Sequence, residues 1–62
     1  MKLRVELTEG QAEALAQLVK RFTYEDAERL ANAHDGGRER DEMLEAVMSI
    51  QRQLAERGFA PR

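Results

Sequence analysis

Apolar and polar residues alternate strictly at the start of the chain. Leu3, Val5 and Leu7 fall on one side, and Lys2, Arg4 and Glu6 on the other. A period of two over this stretch predicts a short, half-buried β-strand at about 2–7. The period then changes. Ala12, Leu15, Leu18, Val19 and Phe22 recur at the spacing of one helical face and predict a helix at about 9–22. Thr8 and Gln11 fit a capping box at its start, and Leu7 and Ala12 flank the cap as a hydrophobic staple. Glu9 at the beginning and Lys20 and Arg21 at the end suit the helix dipole.

A second helix is expected at about 24–33, behind the cap pair Thr23 and Asp26, with Tyr24, Ala27, Leu30 and Ala31 turned inward. Residues 32–37 break it, and Asp35-Gly36-Gly37 is the strongest loop signal in the chain. A third helix, about 39–57, carries the stripe Met43, Leu44, Val47, Ile50 and Leu54, with Met48 at its margin. Gly58 fits the left-handed position just past a helix, Phe59 should fold back on Leu54, and Pro61 bars a return to helix. The expected fold is mainly α (α+β): one strand followed by three helices, in a single small domain spanning 1–62. A lone strand leaves backbone donors and acceptors without partners. The tail around Phe59, a second copy in a homodimer, or a sheet edge on a target would each supply them.

Length sharpens that problem. A chain of 62 residues has room for one domain, and a domain of this size is marginally stable by itself. Without cysteine it has neither a disulfide nor a thiolate metal site, and it has one histidine. Oligomerisation or well-capped helices must supply the difference. Net charge is −2, the wrong sign for phosphate contacts, so no direct nucleic-acid binding is expected. No apolar run reaches the ~18 residues of a membrane span, and no apolar segment follows the start as in a signal peptide. These features lead us to expect a cytoplasmic protein with no membrane association.

Little in the chain suggests catalysis. His34-Asp35 resembles part of a catalytic dyad, but Ser49 is the only serine and lies on the third helix. A histidine at a helix end is favoured by the dipole, which accounts for His34 without chemistry. His34, Asp35 and Glu39 are too loosely spaced for a known metal motif. We therefore expect no enzyme, no catalytic residues, no cofactor and no metal. Met43, Met48 and Ile50 could form an adaptable binding patch, but their helical spacing favours a place in the core. Two acidic clusters stand out: Glu25, Asp26 and Glu28, then Glu39, Asp41, Glu42 and Glu45. Both open helices, so dipole complementation explains part of the pattern. The functional alternative is a partner-binding face, complementary to a basic, nucleic-acid-binding surface on another protein.

Two resemblances bear on function. Lys2-Leu3-Arg4-Val5-Glu6-Leu7 followed by a capped helix resembles the start of ribbon-helix-helix repressors and antitoxins, over roughly the first 30 residues. That resemblance implies dimerisation through the strand, with Lys2, Arg4 and Glu6 facing DNA. The family's small-residue turn is absent, the third helix is extra, and Glu6 would meet DNA. The run from Met1 to Leu18 and the ending Ala-Glu-Arg-Gly-Phe-Ala-Pro-Arg resemble small proteins of proteobacterial phages and mobile elements. Accessory proteins of that kind include anti-CRISPR inhibitors. The resemblance implies a phage-type anti-CRISPR acting in the host cell. Its target would be a Cas subunit whose DNA-binding surface, in a type I interference complex, it blocks through the acidic face. The alternative is a ribbon-helix-helix-like DNA-binding regulator or antitoxin.

Overall fold

A computed structural model describes residues 1–59, and its three helices are α1 (Glu9–Arg21), α2 (Tyr24–Leu30) and α3 (Arg38–Glu56). Each helix end is set by short-range hydrogen bonds. At α1 the Gln11 N–H donates to Thr8 Oγ1 at 3.1 Å, and the Thr8 N–H donates to Gln11 Oε1 at 2.9 Å. The same reciprocal pair opens α2, with the Asp26 N–H on Thr23 Oγ1 at 3.2 Å and the Thr23 N–H on Asp26 Oδ2 at 3.0 Å. Both are capping boxes, each satisfying donors that a helix start otherwise leaves unpaired.

The start of α3 is built differently. Its cap residue, Gly37, has φ +87° and no side chain to accept a bond. Asp35 reaches forward instead, accepting from the Gly37 N–H at 3.1 Å and the Glu39 N–H at 3.0 Å. At the other end Gly58 has φ +89°. The Phe59 N–H donates to the Leu54 carbonyl at 2.8 Å and the Gly58 N–H to the Ala55 carbonyl at 3.1 Å. This is the Schellman closure the sequence predicts. Phe59 packs against the apolar cluster that contains Leu54. Pro61 lies outside the described residues.

Among the described residues α1 and α2 each pack on α3 and not on one another. Ala12, Ala16 and Val19 of α1 are buried with Leu54 of α3, and Leu15, Val47 and Phe59 close around them. On α2 only Ala27 is buried. The body is flat, with Cα extents of 37 × 27 × 16 Å. Its radius of gyration is 12.7 Å, where a compact chain of this length has about 11 Å. It exposes 5341 Å², where a folded protein of its mass exposes about 4,100 Å².

The expected N-terminal strand is absent. Residues 1–8 carry neither helix nor strand, so the fold is all-α and not α+β. A strand exists only as part of a ladder, and among the described residues no second segment is there to pair. The tail around Phe59 is committed elsewhere, its N–H closing α3. Helix α2 ends at Leu30 and not near 33. The Asn32 N–H is taken by Glu39 Oε1 at 3.0 Å, and Asn32 Oδ1 accepts from the His34 N–H at 3.0 Å. Such side-chain bonds compete with helix propagation. Helix α3 spans 38–56, one residue earlier at each end than expected. Leu18, Tyr24, Leu30 and Ile50 are exposed and not inward, because a flat body of three helices has too little facing surface to cover every stripe.

Candidate partner-binding surface

The acidic residues singled out in the sequence divide by task. Asp26 holds the α2 cap and pairs with Arg29 at 3.3 Å. The Thr23 backbone N–H, then its hydroxyl, then Arg29 hold the Asp26 carboxyl below the usual carboxylate range. Glu28 pairs with Arg40 at 3.3 Å, and Asp41 with the same guanidinium at 3.1 Å. Glu39 is half-buried and accepts from the Asn32 N–H. Four of the seven carboxylates therefore have internal partners. Glu25, Glu42 and Glu45 are exposed and make no hydrogen bond or ion pair among the described residues. Glu42 and Glu45 lie three apart on α3, on the side turned away from Val47 and Leu54.

The two acidic sets do approach one another, and they meet at a cation. Arg40 stacks over the Tyr24 ring at 4.9 Å, bonds to Glu28 and Asp41, and lies against Gly37, where a Cβ would collide with its guanidinium. Its pKa is raised, chiefly by the Asp41 bond. Arg40 carries no signature in the sequence. Its partners on α2 are distant in the chain, so no local pattern announces it.

The apolar distribution is unusual. Among the described residues the buried set is Ala12, Ala16, Val19, Ala27 and Leu54, three of five being alanine. Most of the large apolar side chains lie outside. In the arm formed by residues 1–8, Leu3 is 78% and Val5 68% exposed, and Leu7 is exposed as well. Of the methionine group, Met43 is half-buried, while Met48 and Ile50 are exposed, so none of the three belongs to the buried core.

His34 is exposed, and both Asp35 oxygens serve backbone amides, so Asp35 does not orient the imidazole. Among the described residues no group of three or more His, Cys, Asp or Glu side chains is placed to hold a metal. Among the hollows in the described surface are two open ones. One, of about 220 Å³, is lined by residues including Glu9, Glu13, Gln17 and Arg57. The other, of about 130 Å³, lies beside Glu28, Asn32, Gly37 and Arg40. Neither brings a nucleophile to a base. No described helix is long and apolar enough to cross a membrane.

Residues 1–62 match the model of a family described as a family of unknown function (DUF7706). No curated protein and no solved structure matches the chain.

Proposed function

The chain belongs to this family of unknown function, and we propose that it is a non-enzymatic module that binds another protein. The observation that carries this reading is the distribution of apolar side chains: a small core of three alanines with Val19 and Leu54, and Leu3, Val5, Leu18 and Met48 among those outside. Covering such surface is the main favourable term in protein association, at roughly 25 cal/mol per Å² of apolar area. The unpaired carboxylates Glu25, Glu42 and Glu45 add selectivity for a partner with a basic rim. Charges of this kind act mainly on association rate and on the rejection of wrong partners.

In its narrow form the proposal is a phage-type anti-CRISPR that occupies the DNA-binding surface of a type I interference complex. The resemblance of both chain ends and the three unpaired carboxylates support that form. The test is displacement of DNA from a purified interference complex by the wild-type chain and by the triple variant Glu25→Gln/Glu42→Gln/Glu45→Gln. The wild type should displace DNA and the variant should do so more slowly, with a weaker dependence on salt. Equal performance by the two would remove the carboxylates from the mechanism. Absence of displacement by the wild type would remove the anti-CRISPR form. Direct, salt-sensitive binding of the chain to DNA would replace it with the regulator reading.

A further inference from the structure

We propose that α3 pairs with α3 of a second copy, the two helices running in opposite directions about a two-fold axis between Met48 and Ser49. The inference rests on the binding reading above and names the partner, a second copy of this chain. Residues 1–8 take no part in it.

Leu44, Met48, Gln51 and Ala55 recur along α3 at steps of four, three and four. That is the spacing at which two helices pack along their length, each stripe residue entering a gap between side chains of the facing helix. The stripe has two flanks. Val47 and Leu54 form one, and both belong to the seam with α1. Glu45 and Arg52 form the other, and both are exposed. The stripe itself stands at the rim of the core. Leu44 and Gln51 are half-buried, Met48 is 64% exposed and Ala55 is exposed, so α1 and α2 leave its outer half uncovered.

Charge names the occupant. Glu45 and Arg52 share one edge of α3 but stand seven residues apart, about 10 Å along the axis, too far to meet. Neither side chain makes a hydrogen bond or ion pair among the described residues. An axis between Met48 and Ser49 sets Glu45 of each copy opposite Arg52 of the other. Two ion pairs then form from four charges that the single chains leave unmatched. At the axis the two Met48 side chains meet and are covered, a place suited to so adaptable a side chain. Run parallel, the helices would set Glu45 level with Glu45 and Arg52 level with Arg52, and neither charge would be answered. The patch is therefore self-complementary in one direction only, as a two-fold contact requires.

Sedimentation equilibrium on the full chain, from micromolar to millimolar concentration, tests this with a charge-swap set. The wild type should dimerise. Glu45→Arg alone and Arg52→Glu alone should each weaken the dimer, roughly tenfold, by placing like charges opposite at two positions. The double variant Glu45→Arg/Arg52→Glu should recover it, and an equimolar mixture of the two single variants should form the heterodimer. If a single variant also loses helix content by circular dichroism, the mixture should restore both mass and helicity. Direction is read separately, since the chain has no cysteine of its own. Under mild oxidation Met48→Cys, at the axis, should cross-link to itself, and Ala55→Cys, near the helix end, should not. A wild type that stays monomeric throughout overturns the inference. So does a dimer that all charge variants leave unchanged, single variants that fail to associate when mixed, or cross-linking as ready at position 55 as at 48. A monomeric chain that binds a different protein overturns this inference and leaves the broader binding reading standing. A monomeric chain that binds no protein overturns both.

Discussion

Gly58 carries a backbone conformation that other residues resist. Its φ is +89°, and an added Cβ would meet nothing within 4 Å, so any cost of substitution comes from the backbone alone. Gly58→Ala should lower stability by about 1 kcal/mol, measured as a reduced urea midpoint at unchanged slope. Asp26 carries a different kind of signal. Its folded pKa lies below the ordinary value of 3.8. A depressed carboxylate contributes stability that is present above its unfolded pKa and lost as pH falls through the folded one. Asp26→Asn should therefore be less stable than wild type at neutral pH. The gap should narrow below about pH 4 and close in stronger acid, as thermal unfolding of the two proteins across that range would reveal. Both residues were legible in the sequence, because a Gly-Phe helix end and a Thr-x-x-Asp pair are local. Asp35 was visible only as part of a loop. Its bonds to the Gly37 and Glu39 amides depend on the turn that the two glycines make.

At the level of elements, α1 and α2 are attached by different means. Helix α1 is held by an apolar seam against Leu54, whereas α2 has one buried alanine and a clasp made by Arg40 through Tyr24 and Glu28. Removing the guanidinium should therefore loosen one helix and spare the other. In Arg40→Ala, amide exchange across Tyr24–Leu30 should accelerate while α1 keeps its protection, an outcome that residue-resolved hydrogen exchange distinguishes from general destabilisation. All three helices were legible to within a residue or two, except for the end of α2. Caps and stripes act over three or four residues, whereas the side chains that stop α2 come from Glu39 and from Asn32 in a turn. The strand was misread for a related reason. Alternation in residues 2–7 records which side chains could share a face, and whether a strand forms depends on a partner that the pattern does not contain.

On the scale of the whole molecule, the short chain and the absence of cysteine already implied that stability must come from association or from good caps. The structure has the caps, and its flat shape leaves much apolar surface uncovered. The stripes read from the sequence put Leu18, Leu30 and Ile50 inside, since periodicity gives a face its direction and not the amount of surface available to meet it. The acidic sets were legible as residues, but their division into structural and unpaired carboxylates was not, because it turns on Arg40. If two copies associate, folding and association are linked by mass action. The melting temperature should then rise with protein concentration, and scanning calorimetry across a hundredfold range would register it; a constant value would mark the single chain as the folding unit.

The exposed arm also bears on how long the molecule lasts. Proteases act on exposed segments that no packed element holds, which is where nicking concentrates. Residues 2–7 offer such a segment, with basic residues at Lys2 and Arg4, without any helix having to open. Trypsin-like cleavage there would be fast in a lone chain and slow once a bound partner shields the arm. The lifetime of the intact chain would then depend on how much of that partner is present, with free molecules trimmed and bound ones preserved.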